Sequence, residues 1–500
     1  MFYSNKKLSK GTNKAKVVFT NFEKCMNSQT DEALLPYKQA KISYNFNVKK
    51  GALTTGYGFK ALALPKYHEE GERTIKMPGE PIKKAWVYKY YSQDFNFYDP
   101  ELIFIGESGQ LYFITIHDDT PFSFQIPQDT LFTSVPNAIN YRLNSKDTLI
   151  FSSSTDGMYK HALNEGVIKI ENAPHIISMC LHYERLFAIV GGERNRLAFS
   201  ANLDPTNWTE DLSSGGFIDM QDERGGLCQV VSFNDYVYVF RDYGVSKISA
   251  YGDQADFSVS HLFVSSVKLY GNTVCVCGNK IMLLARDGIH SFDGYSTKCL
   301  DLGFNDLFQG IENNNACSVY FKNKFFLACR LNFNDGEKIG CENYSEGYIN
   351  NSLIELDLGT NEVSITRGVD ISSMLVIDDE KFAKIAVCFN GEHSSKIGEL
   401  TEDGLLFDEV LPKLWVSPKS NMGYPTKVKQ ITECLIKTKG DCVLKIATNN
   451  NIKKFNITGK AVAQRVKVNL SGEELQVAFA SNTQGETYIS CPQITINISE

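Results

Sequence analysis

The sequence predicts an all-β protein that contains a β-propeller of about seven blades and a C-terminal β-sandwich. Three observations lead to this prediction. Short runs of β-branched and aromatic residues bounded by Gly, Asp and Asn recur from end to end, while few windows space their apolar residues as a helix does. Similar strand pairs return along the chain, and their rhythm changes after Asp403.

Seven segments share one pattern, which is an apolar strand, a turn with Gly or Asn, and a second strand. They begin at Glu101, Asp147, Glu184, Asp235, Lys280, Lys324 and Lys384. Successive starts lie 37 to 60 residues apart. Four strands of about five or six residues, with their connections, occupy roughly 42 residues. We therefore expect each segment to belong to one blade.

The strands in these segments are apolar on both faces. The runs LFAIV, VYVF and IMLLA, which start at Leu186, Val237 and Ile281, do not alternate between apolar and polar residues. A strand of an exposed sheet alternates, whereas the inner strands of a propeller are covered by the neighbouring blades. Two or three unrelated β-sandwiches are the alternative, because the repeats differ in length.

Three regions follow from these patterns. Residues 1–80 are expected to form an extended arm and strands that partly close the propeller, and residues 81–410 the propeller itself. Residues 411–500 are expected to form the β-sandwich, because alternating strands such as VKVNL and ITINI follow a turn that contains Trp415 and Pro418.

Composition limits the classes of function. The hydrophobic share of 43% and charged share of 22% are typical of a globular protein. The net charge of -7, without a long block of Lys or Arg, disfavours a protein whose main task is to grip nucleic acid. No apolar run has the length of a signal peptide or membrane span, so we expect a soluble protein without membrane contact.

The cysteines favour a reducing compartment. The chain has 13 of them, and several lie in apolar, β-branched surroundings, which is typical of small buried side chains and not of disulfides. The pair Cys275 and Cys277 has no second Cys or His pair at ligand spacing. We therefore expect no metal site and no cofactor.

Several motifs resemble those of a known family. The first comprises Arg185, Leu186, Gly191, Asn195, Ser200, Asp204, Pro205 and Trp208. The others are a hairpin with Asp287, Gly288, Asp293 and Gly294, and a turn with Trp415 and Pro418. In these residues the chain resembles the packaged-DNA-stabilisation proteins, the tail hub or nozzle family of short-tailed bacteriophages. It departs from the family at Gly56-Tyr57-Gly58, where the family often has Arg-Pro-Gly.

The resemblance implies a structural virion protein. Its subunits would form a homo-oligomeric ring, a hexamer, below the portal and adaptor, in contact with these and other tail proteins. The ring would extend the DNA channel and retain the packaged genome until ejection, with only transient contact to the DNA. Such a protein is assembled in the host cytoplasm and ends in the virion tail. An acidic ring around an outgoing duplex repels phosphates instead of binding them, so the duplex can slide.

The motif residues are expected to be structural. Pro205 fixes the backbone of a turn, Asp204 accepts hydrogen bonds from following amides, and Trp208 folds onto the blade. Arg194 and Arg196 flank Asn195 at a hairpin tip, where they are candidates for contacts with a neighbouring subunit or with phosphate.

Two other functions remain as alternatives. Propellers include glycosidases, but the turn near Asp156 lacks the Trp of the sialidase repeat, and no catalytic constellation of His, Ser or paired acids is recognisable. We therefore expect no catalytic residues. A receptor- or glycan-binding tail protein is the second alternative, because the aromatic share is 12%. Position in the particle distinguishes it from a hub.

Overall fold

We analysed a computed structural model of the chain. It describes residues 14–18, 22–23, 26–36, 38–66, 70–92, 97–116, 131–333, 347–379, 382–449 and 451–498. The described residues form many small, mostly antiparallel sheets, together with short 3-10 helices and no α-helix. The all-β prediction is confirmed. Within the described ranges, no helix has the length and apolar character needed to cross a bilayer.

Seven strands precede the first of the repeated sheets. They are β1 Lys14–Val18, β2 Ile42–Tyr44, β3 Phe46–Lys49, β4 Ala52–Thr55, β5 Gly58–Ala61, β6 Ala63–Pro65 and β7 Glu72–Thr74. Strands β6 and β7 pair only with each other in a two-stranded sheet, whereas the others join strands from distant parts of the chain.

The next strands form sheets I to VII. Sheet I contains β8 Ile82–Ser92, β9 Phe97–Gly106 and β10 Leu111–Thr115. Sheet II contains β11 Asn137–Leu143, β12 Lys146–Ser153, β13 Gly157–Ala162 and β14 Gly166–Ile170. Sheet III contains β15 Ile176–His182, β16 Arg185–Val190, β17 Arg196–Phe199 and β18 Gly216–Asp219. Sheet IV contains β19 Leu227–Phe233, β20 Tyr236–Arg241, β21 Gly244–Ser249 and β22 Ser258–Val264.

The last three of these sheets continue the series. Sheet V contains β23 Leu269–Cys277, β24 Lys280–Ala285, β25 Gly288–Phe292 and β26 Thr297–Cys299. Sheet VI contains β27 Cys317–Phe321, β28 Lys324–Cys329, β29 Ser352–Asp357 and β30 Val363–Arg367. Sheet VII contains β31 Ile371–Asp378, β32 Ala383–Phe389, β33 Ile397–Thr401, β34 Leu405–Leu406 and β35 Glu409–Val410, together with β5. Each of the seven repeated segments supplies the second strand of one sheet.

Apolar side chains fill the space between consecutive sheets. A hydrophobic cluster lies between I and II, and others follow between each pair up to VI and VII. A further cluster joins sheet VII to sheet I, with Leu375 and Ile377 from one and Leu102 and Phe104 from the other. The first strand of each sheet contacts that of the next, and β31 contacts β8. Burial on both faces explains why the second strands do not alternate.

Sheet VII combines strands from both ends of this region. Strand β5 pairs antiparallel with β33 and parallel with β34. Gly58 begins β5, and a Cβ at this position would collide with the side chain of Asp403 and the backbone of Leu405. A glycine is needed here because the two segments of backbone pass so close together.

The remaining strands form two sheets around a separate core. They are β36 Lys413–Val416, β37 Lys429–Lys439, β38 Cys442–Ala447, β39 Ile452–Ile457, β40 Ala463–Gly472, β41 Gln476–Ser481, β42 Tyr488–Ile489 and β43 Gln493–Ile498. One sheet has the order β1-β43-β37-β42-β4-β3, with β40 also beside β37, and the other has the order β2-β36-β41-β38-β39. The N-terminal strands β1, β2 and β4 thus pair with C-terminal strands, and β3 extends the first sheet by pairing with β4.

Candidate functional site

Arg185 and Ser200 fix the hairpin formed by β16 and β17. Arg185 Nη1 donates to the carbonyl oxygens of Ser200 and Ser214, both at 3.0 Å, and its guanidinium lies over the Phe257 ring. Burial lowers the pKa of Arg185 from its ordinary value. The Ser200 hydroxyl accepts from the amide of Leu186 at 3.0 Å and is fully buried. These residues hold the chain that follows β17 against the start of β16.

The Asp204–Trp208 segment forms the predicted turn. Asp204 Oδ1 accepts from the Thr206 amide at 2.9 Å and from its hydroxyl at 2.6 Å. The Trp208 indole N–H donates to the carbonyl of Pro205 at 2.9 Å. Only 9% of Trp208 is exposed, and it packs in the cluster between sheets II and III. The turn therefore places an aromatic ring where two sheets meet.

Arg194 and Arg196 are both engaged within the chain. Arg194 Nη2 lies 2.9 Å from Asp242 Oδ1, in the turn between β20 and β21. Arg196 makes two hydrogen bonds to Asp219, at 2.9 and 3.2 Å, and lies 4.0 Å above the Phe217 ring. The Arg196 guanidinium keeps the pKa of Asp219 below its ordinary value. Asn195 between them is exposed, and its carbonyl accepts from an amide of the chain after β18.

The remaining motif residues occupy turns and core positions. Gly191 donates its amide to the His175 carbonyl at 2.7 Å. Asp293 Oδ1 accepts from two following amides, both at 2.9 Å, and Gly294 has a φ of 102° in the same turn. Trp415 is fully buried between the two C-terminal sheets, and Pro418 is buried in the turn that follows.

A cluster of potential metal ligands lies at the outer edge of sheet V. Asp287 precedes β25, His290 lies in β25, and Cys299 ends β26. His290 Nε2 lies 2.7 Å from Asp287 Oδ1, and one ligand atom of each of the three residues lies within 4.8 Å of the others. Burial, with a smaller contribution from the Asp287 charge, raises the pKa of the Cys299 thiol to about 11.

The structure therefore separates the sequence-predicted residues into several places. It brings Arg185, Leu186 and Ser200 together, and Asp204, Pro205 and Trp208 beside them, whereas Trp415 and Pro418 lie in the C-terminal sheets. The sequence did not predict that His290 lies opposite Cys299, because this pairing depends on the register of β25 and β26. The available signal was a Cys placed symmetrically to a His across the Asp293-Gly294 turn.

Comparisons with known proteins add little to this geometry. No family model matches the chain, and no curated protein matches it. Among solved structures, the computationally designed Ika8 protein is similar at 9% sequence identity. The match covers 65% of this chain and 97% of the designed chain, with a TM-score of 0.39. A likeness at this level carries no argument about function.

Proposed function

We infer that this chain is a structural protein of a bacteriophage tail, a hub or nozzle subunit that forms a hexameric ring below the portal and adaptor. The ring extends the DNA channel and retains the packaged genome until ejection. The observation that carries this proposal is the motif from Arg185 to Trp208, in which the family resemblance and the local packing involve the same side chains. Its residues brace one hairpin and one junction between sheets, as expected of a structural motif.

The proposal includes a finer description of the fold. Sheets I to VII are the seven blades of a closed β-propeller, and the two C-terminal sheets form a β-sandwich. The cluster between sheets VII and I and the contact of β31 with β8 support closure of the ring of blades. The N-terminal strand β5 in sheet VII supports it as well, because a strand from before the first blade then completes the last.

Exposed apolar side chains near the motif support contacts between subunits. Leu203, just before Asp204, is 64% exposed, and its amide donates to the carbonyl of Glu184 at 3.0 Å. The neighbouring Tyr183 is also exposed, and its ring lies 5.5 Å from that of exposed Tyr251. Apolar groups that remain exposed beside one another are typical of surfaces that bind another protein. The proposed occupant is the next copy of this chain.

The net charge of -7 supports a channel that constrains DNA without binding it tightly. Phosphates are repelled by acidic walls, so retention comes from a mechanical constriction and release needs no desorption. A strongly basic channel surface in the assembled ring would contradict this part of the proposal.

The position of the chain in the particle tests the proposed function. We would label intact virions with gold-tagged antibody fragments raised against the purified protein and compare intact particles with particles from which the distal tail has been removed. The proposal predicts label between the head and the tail tip, retained with the portal after distal tail removal. Label confined to the free tip, together with binding to host glycans, would overturn it in favour of a receptor-binding protein.

A further inference from the structure

Three side chains that bind transition metals meet at the outer edge of sheet V. The register of β25 and β26 places His290 directly opposite Cys299, so the two side chains project from the same face of the hairpin. Asp287 reaches the imidazole from the preceding turn, with its Oδ1 2.7 Å from Nε2. We propose that Asp287, His290 and Cys299 bind one zinc ion.

His290 turns Nε2, and not Nδ1, toward Asp287. It is 6% exposed, and its Nε2 atom lies 2.7 Å from Asp287 Oδ1, whereas its Nδ1 atom is buried with no hydrogen-bond partner in the part of the chain that the structure describes. A zinc ion bound to Nε2 and Oδ1 takes the place of the proton that these two atoms share, and the neutral imidazole then carries its proton on Nδ1. Because burial already restricts the ring, little side-chain freedom is lost when the ion binds.

Asn305 supports the sulfur ligand. Its Nδ2 lies 3.4 Å from Cys299 Sγ and donates to the carbonyl of Leu300 at 2.9 Å. A Cβ at Gly288 would lie 2.9 Å from the same Nδ2, so the glycine leaves room for the amide. A donor directed at sulfur stabilises the thiolate that a metal requires. Asn305 is therefore a positioning residue and not a ligand.

The ligand set selects the metal. One thiolate, one imidazole and one carboxylate suit zinc, whereas Mg²⁺ and Ca²⁺ prefer oxygen ligands alone. Zinc bonds of about 2.0–2.3 Å place tetrahedral ligand atoms roughly 3.3–3.8 Å apart. Binding then requires Nε2 and Oδ1 to move apart from 2.7 Å, and any ligand pair that is separated by up to 4.8 Å to come closer. Asp287, whose side chain is 43% exposed in a turn, has the freedom to adjust. Water completes the coordination, and the ion ties the edge strand β26 to the start of β25.

The test uses the purified full-length chain. Zinc content would be measured by elemental analysis after dialysis. Affinity would be measured by titration with Co²⁺, followed by displacement of Co²⁺ with Zn²⁺. A charge-transfer band of bound Co²⁺ reports a thiolate ligand. We expect one ion per chain, and an at least tenfold loss of affinity in Cys299→Ser and in Asp287→Asn. Cys275→Ser, in β23 of the same sheet, is the matched control and should bind as the wild type does.

A melting experiment keeps the proposal testable if Cys299→Ser folds poorly. Zinc should raise the melting temperature of the wild type and of Cys275→Ser, and should raise that of Asp287→Asn by less, because a ligand that binds only the native state stabilises it by an amount that grows with its affinity. Less than one ion per chain, a cobalt spectrum without a thiolate band, or equal zinc stabilisation of Asp287→Asn would overturn the site. Each result is independent of ring formation.

Discussion

Replacing Trp208 with alanine measures what the family motif does. The indole lies between sheets II and III, in contact with a cluster that includes Tyr141, Ile150 and Leu186, and only 9% of the residue is exposed. Truncating a buried Trp to Ala costs about 3–5 kcal/mol in unfolding free energy, through lost contacts and the cavity that remains. At about 2 °C per kcal/mol in a large domain, the melting temperature should fall by about 6–10 °C.

The assay is thermal unfolding of the purified protein, monitored by scanning calorimetry and by far-ultraviolet circular dichroism, which reports the backbone. Trp208→Phe keeps an aromatic ring but removes the N–H donor to Pro205, and should lose about 1–2 kcal/mol. Leu212→Ala is the matched control, because Leu212 is 84% exposed and its truncation should change the melting temperature little. A Trp208→Ala protein that melts with the wild type, but has lost a binding activity, would refute the structural role.

Three further changes test other parts of the fold. Gly58→Val forces a branched side chain against the Leu405 backbone, and should destabilise the protein by about 1–3 kcal/mol and make β5 sensitive to limited proteolysis; unchanged proteolysis would contradict the close approach. Asn45→Ala removes hydrogen bonds from Nδ2 to the carbonyls of Arg367 and Pro412, at 3.0 and 2.7 Å, and from the Arg367 amide to Oδ1, at 2.7 Å. Asn45→Ala should lower the free energy of unfolding by about 2–4 kcal/mol. Asn45→Gly tolerates the local φ of 59°, so it should remain destabilised if the lost hydrogen bonds matter more than the backbone conformation. Burial lowers the pKa of Lys413 from 10.5 to about 8. Below pH 8 the side chain is charged in both states, and the buried charge destabilises the folded state; this penalty disappears as the pH rises to 10.5. Urea unfolding should therefore show wild-type stability rising between pH 8 and 10.5 relative to Lys413→Met, and parallel curves for the two proteins would contradict the buried charge.

The all-β class and the repeated segments were predictable because they depend on local patterns. Runs such as IMLLA are apolar on both faces, and the corresponding strand β24 is buried at nearly every position. The Asp204–Trp208 turn was predictable for the same reason, since Asp, Pro and Trp have strong preferences in turns and at sheet junctions.

Long-range pairing was not predictable from local pattern. Residues 1–80 are expected from the sequence to form an extended arm and strands that partly close the propeller. In the structure β1, β2 and β4 pair with strands of the C-terminal sheets, and β3 pairs with β4. Thr55, for example, accepts from the amide of Thr487 at 2.8 Å, across 432 positions of sequence. The pairing of His290 with Cys299 was missed for a related reason, because register depends on the number of residues in the turn. The propeller, its blade number and the roles of Arg194 and Arg196 in assembly stay predictions.

The most direct test of the proposed hub is the mass and shape of the purified protein alone and mixed with the adaptor ring. Light scattering would give the mass, and negative-stain imaging would show the shape. We expect a ring, alone or on the adaptor, with a mass of six chains and a central hole wide enough for a DNA duplex. A monomer that stays monomeric in the presence of the adaptor would contradict the proposal.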